Sequence, residues 1–146
     1  MRTVIRLLSL VVLAVSCLAQ TATQSAADDG RFTVPSRQFK EFSIGISAAM
    51  KGVTLSGTFK ATGGKQNEII VLVMTNAQFA NWKAGKCNGP CTTDNGGALY
   101  NSGRVSQGTI NLSAPDGQAD YHVVFNNTHF QYAKDIESGL MWQWTQ

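Results

Sequence analysis

The chain has 146 residues, 43% of them hydrophobic and 14% charged, with 14 glycines and 3 prolines. That much apolar material fits one turn-rich globular domain with a single core, and it excludes a disordered or fibrous chain. The formal charge of +3 falls to +1 when Arg2 and Arg6 are set aside with a leader, since all 9 acids lie from Asp28 onward; so small a surplus excludes the basic balance of most nucleic-acid binders.

Residues 1–19, MRTVIRLLSLVVLAVSCLA, join a basic start to an apolar run over residues 7–15 and small residues ahead of a cut. That is the pattern of a secretory signal peptide, and the run is too short for a membrane span. The cut is placed after Ala19, with Cys17 and Ala19 as the small residues before it. A second reading stays open, because Ala14-Val15-Ser16-Cys17 is similar to the lipobox of bacterial lipoproteins, with Ala14 standing where Leu is usual. In that case Cys17 is acylated and anchors the protein; otherwise the protein is secreted or periplasmic and free. Residues 20–31 are small and polar and read as a disordered leader, which leaves residues 32–146 as the folded domain.

Within that domain the fold begins at Phe32, and Pro35 suits an edge or a turn. Phe42, Ile44, Ile46 and Ala48 alternate with Ser43, Gly45 and Ser47, and Val53, Leu55, Gly57, Phe59 and Ala61 alternate likewise with polar partners. The two runs read as strands joined in a hairpin at residues 50–52. Gly63-Gly64 breaks the pattern before EIIVLVMT, residues 68–75, which is apolar on both faces and β-branched, as a central strand would be. Asn76 is the expected cap of a short helix that turns Phe79 and Trp82 toward the core and ends at Gly85.

The loop KCNGPCTTDNGG follows. In an exported chain Cys87 and Cys91 are expected to form a disulfide, worth about 2 kcal/mol for so small a ring. A thioredoxin-like redox site would need two intervening residues and a βαβ setting, and the sequence has neither. Residues 99–105 supply another strand. Ile110 and Leu112, then Tyr121, Val123 and Phe125, supply two more that read as a hairpin turning at Pro115-Asp116-Gly117. In the last strand, residues 134–144, Ile136, Leu140, Trp142 and Trp144 share a parity, while Lys134, Asp135 and Glu137 suit an edge or solvent-facing start. About eight short strands and one short helix make an all-β antiparallel sandwich, of jelly-roll type.

The order GTFKATGG, NEIIVLVMT, F and NW, then YNSGRV, YHVVFNN and AKDI resembles a family of small exported bacterial β-sandwich proteins of undefined role, similar in turn to the GOLD domain, the lumenal sandwich of cargo receptors. The matching positions include Gly57, Phe59, Gly63, Gly64, Trp82, Tyr100, Gly103, Tyr121, Phe125, Asn127 and Lys134. Residues 118–120 lengthen one turn, and no transmembrane helix or coat-binding tail follows Trp144. The resemblance therefore implies a fold and a non-catalytic binding role, without cargo-receptor function.

Candidate chemistry is sparse. His122 and His129 match no metal spacing and read as surface histidines. Asp116 and Asp120 lack the repeated acids of a calcium loop, and no nucleophile elbow appears among the serines. No cofactor is expected. Trp82, Trp142 and Trp144 are the candidate glycan contacts if their rings are exposed, although the shared parity of Trp142 and Trp144 with Ile136 and Leu140 favours the core. The expectation is a non-enzymatic exported sandwich that binds protein or cell-envelope material through a strand edge or end loops, or, as the alternative, a carbohydrate-binding module using those tryptophans.

Overall fold

The computed structural model describes residues 24–86, 97–115, 117 and 119–146. The expected signal peptide with Cys17, the expected Cys87–Cys91 disulfide and Asp116 fall outside the described residues. The elements in chain order are β1 (Gln24–Val34), β2 (Phe39–Ile46), β3 (Lys51–Thr62), β4 (Ile70–Thr75), α1 (Asn76–Lys83), β5 (Tyr100–Asn101), β6 (Gln107–Ser113), β7 (Ala119–Asn126) and β8 (Lys134–Thr145). They form two antiparallel four-stranded sheets ordered β1-β8-β3-β6 and β2-β7-β4-β5, which is the strand order of a jelly roll.

Both expected hairpins are corrected by this topology. β2 pairs with β7 rather than β3, and β6 pairs with β3 rather than β7. Alternation reveals that one face is buried, but it does not say against which strand. Hydrogen-bonded neighbours lie about 4.8 Å apart and stacked sheets about 10 Å apart, so the links at residues 47–50 and 114–118 are long enough to step from one sheet to the other.

Three further expectations are corrected. Residues 24–31, assigned by composition to a leader, belong to β1, whose backbone pairs with β8 from Gln24↔Trp144 to Val34↔Lys134. Strand pairing there is a property of the backbone, and β1 is an edge strand. β8, whose start was expected at an edge or facing solvent, is interior, between β1 and β3, with Asp135 and Glu137 exposed and Lys134 buried. Residues 99–105 hold only the two-residue β5 and an isolated bridge, Ile69↔Val105.

The central core lies between the sheets. Val53, Leu55, Phe59 and Ala61 of β3 and Ile136, Leu140, Trp142 and Trp144 of β8 meet Val71, Val73, Tyr121, Val123 and Phe125 of the other sheet. Phe125 takes Phe32 and Phe42 edge-on at 5.0 and 6.1 Å, so three strands are locked around one ring. β4 is buried on both faces as expected. Val71 and Val73 enter the central core, while Leu72 and Met74 join Phe79, Ala98 and Val124 in a second cluster beneath α1.

The helix cap is Thr75, not Asn76. The Thr75 hydroxyl accepts from the Gln78 N–H at 3.3 Å and the Gln78 side chain accepts from the Thr75 N–H at 2.9 Å, a reciprocal capping box. Thr75→Ala is therefore expected to cost about 1 kcal/mol, measured by denaturant unfolding, whereas Asn76→Ala should cost little. Among the described residues, no helix is long and apolar enough to cross a membrane.

Candidate functional site

In a jelly roll, alternate connections fall at the same end of the sandwich. Here the links at residues 35–38, 63–69, 102–106 and 127–133 converge beyond the end of β1 and the start of β8. The sequence scatters cations over these links, and the fold gathers them. Arg37, Lys65, Arg104, His129 and Lys134 line one cavity of about 320 Å³ with Gln66, Phe130, Gln131 and Tyr132. No carboxylate is part of that lining. Glu68 shares a link with Lys65 but does not line the cavity, and Asp135 sits on the outer face of its sheet, accepting from the Thr33 hydroxyl at 2.7 Å.

The framework under the cavity is fixed by a few polar contacts. Asn127 is fully buried, and its Nδ2 faces three carbonyl oxygens, those of Val34 at 3.2 Å, Pro35 at 2.8 Å and Tyr132 at 2.9 Å. One side chain thus ties the first link to the last. Arg37 has a left-handed backbone, φ 61°, and its N–H donates to the Phe130 carbonyl at 3.2 Å. Gly64 lies against the last link so closely that a Cβ there would stand 2.9 Å from the Tyr132 Cβ. Gly64 also has φ +70°, so glycine suits both the space and the conformation.

Lys134 is the least expected member. The sequence places it at a solvated strand start, yet it is only 2% exposed. Its ammonium donates to the Gly63 carbonyl at 2.8 Å, the one hydrogen-bond acceptor it meets among the described residues, and lies 5.3 Å from the Phe130 ring centre. The Arg104 guanidinium lies 5.5 Å from the same ring centre. A buried ammonium has three N–H donors, so two of them have no hydrogen-bond acceptor among these residues.

A second cavity carries groups of both signs. A cavity of about 420 Å³ on the outer face of the β1-β8-β3-β6 sheet is lined by Arg31, Lys60, Asp135 and Glu137 among others. There Arg31 pairs with Glu137 at 3.4 Å, both largely exposed, a contact worth little in stability. Positive and negative groups are matched on that face, and at the loop end they are not.

The residues singled out from the sequence lie elsewhere. Trp142 and Trp144 are 1% and 8% exposed in the central core, which corrects any surface role for them. Trp82 is half-buried, edge-on to Phe39 at 5.0 Å and stacked on Phe79 at 6.0 Å. The three indoles therefore form no common platform. His122 is not a surface histidine: its side chain is 12% exposed, its Nδ1 lies 2.6 Å from Glu41 Oε1, and its ring stacks on Phe79 at 4.4 Å. This pair clamps β2 to β7 beside α1. His129 is exposed and belongs to the loop-end cavity. Asp120 is exposed on β7.

Sequence reasoning missed the loop-end cluster because Arg37, Lys65 and Arg104 are each a lone charge in a link and Lys134 is the first residue of a strand. A signal did exist, in Gly64-Lys65 and Gly103-Arg104, where a cation follows a turn glycine in links separated by an even number of connections. Burial pushes the Tyr100 and Tyr121 phenols above the ordinary tyrosine range; neither lines the cavity. Among the described residues no three His, Cys, Asp or Glu side chains converge as a metal site would require. No protein-family model and no curated protein matches the chain.

Proposed function

We propose that this protein is a non-enzymatic, exported binding module that holds an anionic component of the cell envelope at the loop end of its sandwich. One observation carries the reading: the cations Arg37, Lys65, Arg104 and Lys134 surround a single cavity with no carboxylate in its lining. Like charges gathered in this way repel one another, and an anion in their midst relieves that repulsion. The leader over residues 1–19 supports export, and the resemblance to the GOLD domain supports binding without catalysis.

Sedimentation with isolated envelope fragments tests the reading. The wild-type protein is expected in the pellet at low salt and to be released as salt rises past about 0.15 M, where the screening length falls to about 8 Å. The double variant Arg37→Glu/Arg104→Glu, which reverses two exposed charges, is expected to stay in the supernatant. Equal pelleting of the two proteins would sink the proposal.

A further inference from the structure

The loop-end cavity offers more than charge, and its other groups narrow the ligand. Tyr132 is 49% exposed, one of three exposed large apolar side chains among the described residues, and it lines the cavity. Gln66 and Gln131 stand on the same wall, and each amide both donates and accepts hydrogen bonds. Cations, amides and one open aromatic face are the three kinds of partner presented by an acidic sugar: an acid group, hydroxyls and an apolar C–H face.

Resting on the reading above, we infer that the cavity is a binding site for an acidic saccharide. Its carboxylate or sulfate is held by Arg37, Arg104 and the buried ammonium of Lys134. Its hydroxyls meet Gln66 and Gln131, and its ring lies against Tyr132. A volume of about 320 Å³ is generous for a bare tetrahedral anion and lies at the lower end of small-ligand sites. Other polyanions fit less well. Single-stranded nucleic acid needs a basic groove with several stacking rings in succession, and this end exposes one. An anionic membrane surface would need apolar side chains to insert, yet Phe39 and Met141, the other exposed large hydrophobic residues among the described ones, do not line the cavity.

Lys134 supplies the independent sign of a ligand. A lysine almost never lies fully buried unless paired, and this one is buried with two N–H donors lacking acceptors among the described residues. Lys134 lines the cavity, and an oxyanion bound there would give its ammonium charge-assisted bonds, which are short and strong.

Calorimetric titration of the mature protein provides the test, with trigalacturonate and a sulfated dextran oligosaccharide as the two acidic probes and maltotriose as the neutral one. At least one acidic probe is expected to bind, and which one does distinguishes uronate from sulfate, while maltotriose gives no heat. Arg104→Gln is expected to weaken the binding at least tenfold. Tyr132→Ala is expected to weaken it about tenfold while Tyr132→Phe retains it. The alanine keeps the Cβ that packs on Gly64 and the carbonyl that Asn127 holds, and an unchanged thermal midpoint verifies the fold.

Binding of neither acidic probe overturns the inference. So does unchanged affinity in Tyr132→Ala, or equal affinity for a thymidine oligonucleotide or phosphatidylglycerol vesicles. If the wild-type protein still pellets with envelope in an Arg37- and Arg104-dependent manner while neither acidic probe binds, the saccharide inference falls and the envelope reading stands.

Discussion

Replacing Gly57 by alanine is expected to lower the unfolding midpoint by roughly 10 °C or more, corresponding to a loss of about 3 kcal/mol. Gly57 sits in β3 at φ +134°, where an added Cβ would lie 2.0 Å from the Gly139 carbonyl oxygen of β8, 2.9 Å from its carbonyl carbon and 3.0 Å from the Leu140 Cα. All three are backbone atoms of a central strand. No rotamer change relieves the overlap, so the two strands must part. Parting them disturbs the pairs on either side, Ser56↔Met141 and Phe59↔Ser138, and with them the inward placement of Phe59 and Leu140. Gly139→Ala is the control. Its Cβ would meet nothing nearer than the Thr58 carbonyl oxygen at 3.9 Å, ordinary contact, and the midpoint should barely move. Scanning calorimetry of the two variants reads the difference, and a Gly57→Ala protein as stable as the wild type would mean that β3 and β8 do not approach as described.

Fold class was legible in the sequence because period-2 alternation and turn spacing are local properties. The run over residues 68–75 is apolar on both parities, and the structure explains it: β4 has the central core on one side and α1 on the other. Strand partnership was not legible. Ile110 and Tyr121 bury the same kind of face whether β6 and β7 pair with each other or sit in opposite sheets, and only the link length argues for the second. Helix capping failed by one residue because Asn76 and Thr75 are both good caps, and the Gln78 side chain decides between them by reaching back to Thr75.

The loop-end cavity was the least legible feature. A cation in a turn is ordinarily a solvated charge, and nothing within a few residues of Arg37 announces Arg104 or Lys134. Their meeting depends on the jelly-roll order, which stacks alternate links at one end. Lys134 was misread for a related reason. It shares parity with Ile136 and Ser138, which point inward, but its charge argued for solvent. In the fold the parity wins, because the Gly63 carbonyl and the Phe130 ring provide partners for the ammonium.

Asn127→Asp is expected to have the larger effect, on the order of 4 kcal/mol at neutral pH, since it replaces a donor by a buried negative charge. The Asn127 Nδ2 lies within 3.2 Å of three carbonyl oxygens, so its orientation is set by acceptors alone. A carboxylate there meets those same acceptors with no hydrogen to offer. Asn127→Ala should cost less, because it leaves the carbonyls unpaired without adding a charge. The aspartate variant also carries a pH signature. Burial favours the neutral acid, which raises the folded pKa above the unfolded value of about 3.9. Its stability relative to the wild type is therefore best below that value and falls as pH rises through the folded pKa. Urea unfolding of both proteins between pH 3.5 and 7.5 measures the difference, and a gap that stays constant with pH would show that residue 127 does not face the carbonyls. Because the same amide ties the link bearing Arg37 to the link bearing Tyr132, Asn127→Ala is further expected to weaken binding of the acidic probe at the loop end without touching any cation there. A positioning role predicts that loss together with lowered stability, whereas Arg104→Gln loses binding alone.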